Sequence, residues 1–248
     1  MEKFPIILSY HRIHPNQGED SIVNTPSQLS SHIKLLKLLG FKVIDLQGWL
    51  DRGGLDKKRY AILTFDDGWE DNYKYAFQIL LKHKVTATIF LISNYVGLDT
   101  MPNGMIATHG RSFLTLEQIL IMQEKGIDFQ SHTANHHILT ESTDEQINSE
   151  MSISKKKLQS LLNKEVNIIC YPKSKTSPKI MQIAKNTGYK AGVLTVPFGE
   201  QIPEFTNEFS LVRMGVYSKD SLLRFTLKLV VYKIKTTLFN IRRQRDEL

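Results

Sequence analysis

Eight short apolar runs alternate with amphipathic stretches along this chain, and most of the runs are apolar on both faces. Ala61-Ile62-Leu63-Thr64-Phe65 shows the pattern, with apolar residues at odd and even positions alike. A strand with one face in water alternates polar with apolar side chains, whereas a strand covered on both faces does not. Strands are predicted near residues 6–10, 42–45, 61–65, 86–92, 128–131, 167–171, 191–195 and 211–216. Helix starts fall between them. Thr25-Pro26-Ser27-Gln28, Thr115-Leu116-Glu117-Gln118 and Thr143-Asp144-Glu145-Gln146 each fit a capping box, and Ser177-Pro178 reads as an N-cap followed by proline at the first helical position. Strand–helix alternation of this kind requires a parallel sheet, closed as a barrel or open and doubly wound. In both, ligands bind at the carboxyl ends of the strands.

A chain of 248 residues with 41% hydrophobic content can bury one large α/β core. No internal repeat, low-complexity segment or long linker divides it. We assign residues 1–218 to the body and 219–248 to a basic amphipathic C-terminal helix. The single cysteine, Cys170, excludes an internal disulfide framework and reads as a buried strand position. The apolar run at the N-terminus is cut short by His11 and Arg12, so no signal peptide is expected and the default location is cytoplasmic, with association at the inner face of the membrane an added option. Of the formal charge of +7, most belongs to the tail, where residues 219–248 hold eight basic and three acidic side chains. The body is nearly neutral and shows no basic–aromatic interleaving, so nucleic acid is not an expected partner.

From 221 to 241 the tail is rich in Leu, Val, Ile and Phe, but Arg224, Lys228, Lys233 and Lys235 make it too charged to span a bilayer. Two readings remain: an interfacial helix drawn to anionic lipid, or a terminal helix packed on the barrel or on a partner. Leu223, Leu227, Val230, Val231, Ile234 and Leu238 give an apolar face that either could use.

Two clusters carry the chemistry. Thr64-Phe65-Asp66-Asp67-Gly68-Trp69 ends one predicted strand, and Ser131-His132-Thr133-Ala134-Asn135-His136 ends another. Histidines four apart on a helical turn share one side, and a carboxylate from a second strand completes three protein ligands with room left for water. That is a catalytic pattern, since structural zinc sites are usually closed by four ligands rich in thiolate. Zinc is the first expectation, and nickel, cobalt, iron and manganese suit the same donors. Successive side chains in extended backbone point in opposite directions, so one aspartate can bind metal while its neighbour serves as general base. Taken singly, Asp66-Asp67-Gly68 also reads as a plain turn and the histidines as ordinary core or surface residues; at matching strand ends they read as one site.

These residues resemble the polysaccharide deacetylases, carbohydrate esterases that share the NodB homology domain. The family's first motif, TFDDG, and its second, HSxxH or HTxxH, are matched in order by Thr64-Phe65-Asp66-Asp67-Gly68 and His132-Thr133-Ala134-Asn135-His136. The resemblance covers about residues 5–216. It implies a distorted (β/α) barrel of about seven to eight mostly parallel strands, followed here by the helical tail. It implies Asp67, His132 and His136 as metal ligands, Asp66 as base, Thr133 as a support for the loop, and a substrate that bears N-acetyl groups on an amino-sugar glycan. The implied reaction is metal-assisted amide hydrolysis, in which an acid must protonate the departing amine.

The family's downstream LxxH motif is replaced here by Val193-Leu194-Thr195-Val196-Pro197-Phe198. His11, in Leu8-Ser9-Tyr10-His11-Arg12-Ile13, resembles the YHRI opening of the exopolysaccharide and poly-N-acetylglucosamine deacetylase branch and is the candidate acid. The third motif corresponds to Ile169-Cys170-Tyr171-Pro172-Lys173-Ser174-Lys175, which lacks the arginine that usually orients the base. Tyr171, Pro172 and Trp69 are the expected substrate-binding residues, with core packing the other reading of Trp69. Lys173 reads as a surface lysine or as a contact to an anionic group, and His109 and His137 lie near the motifs in sequence. The rival functions are a deformylase or deacetylase of lipid-linked or nucleotide-linked sugars and a catalytically silent sugar-binding barrel.

Overall fold

A computed structural model describes residues 5–53, 58–99, 112–196 and 207–246, with the side chains of the last helix described as far as Ile234. His109, Pro197, Phe198 and the side chain of Leu238 lie outside the described residues. The strands are β1 (Ile6–Tyr10), β2 (Arg12–Ile13), β3 (Val23–Asn24), β4 (Lys42–Ile44), β5 (Tyr60–Phe65), β6 (Thr88–Leu91), β7 (Asp128–Ser131), β8 (Ile168–Cys170), β9 (Ala191–Val196) and β10 (Leu211–Gly215). The α-helices are α1 (Pro26–Leu38), α2 (Leu46–Leu50), α3 (Phe77–His83), α4 (Leu116–Glu124), α5 (Asp144–Leu162), α6 (Pro178–Asn186) and α7 (Leu222–Asp246). All eight strands expected from the apolar runs are present. Thr25, Thr115 and Thr143 close capping boxes, and Ser177 caps α6 with Pro178 at its start. Each such cap is worth about 1 kcal/mol.

Strands β1, β10, β9, β8, β7, β6 and β5 pair in that order, all parallel, and β5 returns to β1. The result is a closed seven-stranded barrel. Its distortion centres on β5. One edge of β5 is taken along its length by β1, from Ile6 beside Ala61 to Tyr10 beside Phe65. The other edge is divided: β4 pairs with Tyr60, Ala61 and Ile62, and β6 pairs with Thr64 and Phe65. A second irregularity lies between β7 and β8, which pair through Ser131 and Ile169. There the side chain of buried Gln130 stands in for the missing ladder, its Oε1 accepting from the backbone N–H groups of Asn167 and Ile168 at 3.0 and 2.9 Å.

Alternation along the strands sorts two cores. Ile7, Ile62, Phe90, Ile168, Cys170, Ala191 and Val193 point into the bore, where α2 adds Leu46 and Trp49. Leu8, Leu63, Phe65, Ile89, Phe129 and Met214 point outward against Leu29 and Ile33 of α1, Leu80 of α3, Met122 of α4, Met151 of α5 and Met181 of α6. Both faces of each barrel strand are therefore covered, which is why the runs are apolar at both parities.

The tail helix belongs to the outer layer. Phe225 stacks on the buried His32 ring of α1 with centroids 3.8 Å apart, and Leu229 is buried in the same core. The buried Lys228 ammonium donates to the Gly215 carbonyl at 2.6 Å and to Asp220 Oδ2 at 2.5 Å, and the Tyr232 hydroxyl donates to the Val212 carbonyl. This corrects the docking face read from the sequence. Leu223, Leu227, Val230 and Ile234 are exposed, and the helix packs through its opposite side. Apolar periodicity favours the longer aliphatic stripe, whereas the docked side is built from two aromatic rings, one leucine and an ion pair. Among the described residues, no helix is long and apolar enough to cross a membrane.

Candidate active site

The carboxyl ends of β1, β5, β7, β8 and β10 converge at one mouth of the barrel. β5 runs directly into Asp66 and Asp67, and the chain turns there because Asp67 and Gly68 take left-handed backbone with φ of 72° and 77°. Glycine suits its position, since a Cβ at Gly68 would lie 2.7 Å from the Leu91 side chain. The turn divides the two carboxylates: Asp66 is held against the bore, and Asp67 faces the loop that follows β7.

That loop is not the helical turn expected from the four-residue spacing of its histidines. Thr133 and His136 are both left-handed, at φ of 65° and 62°, and fold the segment back on itself. The Thr133 hydroxyl accepts from the His136 backbone N–H at 3.1 Å. Buried Glu150 of α5 accepts from both the backbone and side-chain N–H groups of Asn135, at 2.8 and 2.6 Å, and the Tyr95 hydroxyl donates to the Asn135 carbonyl. Strain in two backbone positions is thus offset by a surrounding set of hydrogen bonds. The outcome is two imidazoles with centroids 4.7 Å apart.

Asp67 Oδ1 lies 3.4 Å from His132 Nε2 and 3.6 Å from His136 Nε2. These three donor atoms all fall within 4.8 Å of one another, a spacing that one divalent cation can bridge. The orientation of His132 fits that use, because its Nδ1 lies 2.8 Å from the Cys170 carbonyl and donates to it, which leaves Nε2 directed at Asp67. Two nitrogens and one carboxylate from the protein leave positions open to water and substrate, so the residues present fit the metal that their pattern implies.

The charges of the site are strongly coupled. Burial favours a protonated Asp67, but its contact with His132 and the nearby His11 and His136 rings outweigh burial and hold the carboxyl well below the usual range. Burial, and then the charge of His132, lower His136 to about 4, so it is a neutral ligand at pH 7. Burial works against a charge on His132, yet Cys170 and Asp67 raise its pKa well above that of an ordinary histidine. A proton and a cation therefore compete for the His132 ring.

Asp66 is set by a residue that the sequence motifs did not point to. Arg213 of β10 donates from both terminal nitrogens, Nη1 to Asp66 Oδ1 at 2.6 Å and Nη2 to Oδ2 at 2.7 Å. The same guanidinium reaches Thr64 Oγ1 and Cys170 Sγ at 3.0 and 3.1 Å, with its carbon 5.4 Å from the centre of the Phe90 ring. Burial alone would raise the Asp66 pKa, and Arg213 lowers it instead. Asp66, His132 and Cys170 also lie close together, but Arg213 already places its positive charge there, and burial pushes the Cys170 thiol up into its protonated form. Leu211-Val212-Arg213-Met214-Gly215 did hold a signal for this residue: a charge in the middle of a strand covered on both faces needs a buried counter-charge.

His11 follows β1 at the rim. Its Nε2 is 3.8 Å from Asp66 Oδ2, and its side chain keeps 29% exposure, which gives it access both to the base and to solvent. A π-helical turn, Asn72–Ala76, precedes α3 and directs Asn72 Nδ2 to the His11 carbonyl at 3.1 Å.

Comparison with known proteins identifies the family. The pattern described as "Polysaccharide deacetylase" matches residues 53–192, more than half of the chain. This chain belongs to the polysaccharide deacetylase family. It is 31% identical over 198 residues to YxkH of Bacillus subtilis, a protein named for the same family; the match covers 79% of this chain and 65% of that protein, a little under two thirds of its length. It is 25% identical to a poly-beta-1,6-N-acetyl-D-glucosamine N-deacetylase of Staphylococcus aureus, over 77% of this chain and 72% of that enzyme. Among solved structures it resembles the Streptococcus pyogenes deacetylase PplD in complex with acetate, at 28% identity and a TM-score of 0.74, over 90% of this chain and 96% of the other.

The third motif lacks the arginine that the resemblance places beside the base, and Arg213 of β10, separated from β5 by β1 alone, stands beside it here. The three residues assigned to substrate binding are placed differently from expectation. Trp69 is buried with its ring stacked on Phe113 at 4.5 Å, and its Nε1–H donates to Asp67 Oδ2 at 2.9 Å. It presents no face to a sugar and instead fixes the metal-facing carboxylate. Arg12 lies 5.3 Å from the centre of that ring and is held by Asp71 at 2.6 Å. Tyr171 is buried in the outer core, where its hydroxyl donates to the Phe209 carbonyl at 3.0 Å through a gap that a Cβ on Gly192 would close. Pro172 is buried beside it. Lys173, exposed and at φ of 53°, is near enough for its charge to act on His136. His137 pairs with Glu150 at 3.3 Å, outside the ligand set.

Proposed function

We propose that this chain is a metal-dependent hydrolase that removes N-acetyl groups from an amino-sugar-containing glycan. The observation that carries this reading is the placement of Asp66, clamped by Arg213, beside the convergent Asp67, His132 and His136. Those three residues would hold the cation, with zinc first among the candidates. When bound, the metal would acidify water and polarise the acetyl carbonyl. Asp66 is anionic, desolvated and fixed at both oxygens, so it can take a proton from an attacking water without reorganising. His11 then serves as the group that returns a proton to the departing amine. The staphylococcal relative's named substrate, a poly-N-acetylglucosamine, supports an N-acetylated polymer, and the support Arg213 gives to the base favours turnover over silent sugar binding.

The test is release of acetate from N-acetylglucosamine oligomers, set against lipid-linked and nucleotide-linked N-acyl sugars. Release from the oligomers is expected, and its absence from all three classes with metal supplied would remove the deacetylase reading. His132→Ala is expected to lower bound metal from about one ion per chain to near zero by elemental analysis. In the wild type, metal affinity is expected to weaken as pH falls and protons retake His132. His11→Ala is expected to lower kcat by about 10²-fold or more while leaving metal content unchanged, the range usual for loss of a general acid. Full activity in that variant would assign the acid to another group.

A further inference from the structure

Helix α7 is apolar on two opposite sides. At 100° per residue, Phe225, Lys228, Leu229 and Tyr232 share the side that packs on the barrel and α1. Leu223, Leu227, Val230 and Ile234 share the other side, where they are 53 to 71% exposed. A helix that is apolar on both sides is normally covered on both. We propose that the outward side of α7 docks on an anionic lipid surface, with the aliphatic stripe entering the interface and basic residues contacting the headgroups.

Charge selects this occupant. Exposed Arg224 and Lys233 flank the stripe on its two edges, and the sequence places Lys235, Arg242, Arg243 and Arg245 further along the helix. The 219–248 segment holds eight basic and three acidic residues. A basic residue near an anionic bilayer strengthens binding by roughly fivefold, so the flanks and the stripe act together. A second copy of the chain covering the same stripe would bring two strongly basic tails into contact. The four stripe residues are also all aliphatic, as suits insertion between acyl chains, and no helix among the described residues is apolar enough to span the bilayer.

The geometry joins this surface to the barrel mouth. Lys228 bonds the Gly215 carbonyl at the carboxyl end of β10, and Tyr232 bonds Val212 closer to the start of that strand. The helix therefore runs back along β10, and its first turn, with Leu223, lies beside the mouth. Docking on α7 lays the barrel on its side with the rim of the mouth at headgroup level, where a glycan lying along the surface can enter.

The test is sedimentation of the full chain with phosphatidylcholine vesicles that contain or lack phosphatidylglycerol, at low and high salt. The wild type is expected to bind the anionic vesicles at low salt and to leave them at high salt. Leu227→Glu/Ile234→Glu is expected to reduce that binding by more than about tenfold, since two aliphatic side chains leave the lipid, with the melting temperature and oligomer deacetylation unchanged. The proposal fails if the wild type ignores anionic vesicles, or if the double variant binds them equally well. It also fails if light scattering shows a wild-type dimer that the double variant dissolves, because a second copy would then cover the stripe. The vesicle readout does not depend on catalysis, so it stands apart from the deacetylase assay.

Discussion

Asp66→Asn is expected to reduce acetate release by about 10²- to 10⁴-fold, the range associated with loss of a general base. The amide is almost the same size as the carboxylate and can still accept one hydrogen bond from Arg213, but it cannot take a proton from water. Asp67, His132 and His136 are untouched, so bound metal and glycan affinity are expected to persist. The substitution also leaves the buried Arg213 charge without its partner, at a cost of about 3–5 kcal/mol in stability. Rates therefore need to be compared where circular dichroism shows the variant folded, alongside elemental analysis for metal. A folded, metal-loaded variant with the wild-type rate would assign proton abstraction to another residue.

Arg213→Met is expected to cost stability on the same scale, because it strands a carboxylate in the bore. In the wild type Arg213 holds the Asp66 pKa below that of an unfolded chain, so the pair stabilises the fold above the ordinary aspartate pKa of about 3.9 and loses that contribution as pH falls through the depressed native value. Without the guanidinium, burial is opposed only by the smaller effects of His11 and His132, and the Asp66 pKa rises. The stability deficit should then be about 3–5 kcal/mol at neutral pH and shrink on acidification, when protonation removes the stranded charge. The acid limb of the deacetylation pH profile should move to higher pH, with the metal retained. Arg213→Lys should restore part of the stability, since it returns the charge without the two-pronged geometry. A deficit of equal size at pH 4 and pH 7, with an unmoved acid limb, would show that Arg213 acts by packing alone.

Local signals carried the elements of the fold. Three Thr-x-x-Gln boxes and one Ser-Pro start marked four helices because the donors and acceptors of a cap lie within four residues of one another. The eight strands were legible for a comparable reason: cover on both faces leaves a run apolar at both parities. Asp66, Asp67, His132 and His136 stood out as chemistry at the ends of such strands. Arg213 did not, because its partner lies 147 residues away in sequence: a charge inside an apolar strand signals that a buried counter-charge exists, but not which residue supplies it. Sugar stacking and core packing both stayed open for Trp69, and Tyr171 was assigned to substrate, for a related reason. An aromatic ring beside a motif has the same composition whether it stacks on a sugar or bonds to Asp67 Oδ2 or the Phe209 carbonyl, and the direction of its side chain is fixed only by packing. For the tail the sequence left open whether the aliphatic stripe of α7 packs on the barrel or faces outward, and only the docked helix shows that the stripe is turned away from the barrel.

What the sequence determined by itself is the succession of strands and helices, their caps, and the four residues that can bind a cation and move a proton. These follow from short-range sterics, hydrogen bonding and residue chemistry. What only the tertiary structure decided is which partners those residues meet. Closure of seven strands brings β10 against β1 and so sets Arg213 on Asp66, and the left-handed turns at Asp67, Thr133 and His136 aim one carboxylate and two imidazoles at a common point. Both depend on contacts between residues far apart in the chain, whose geometry exists only once the barrel has closed.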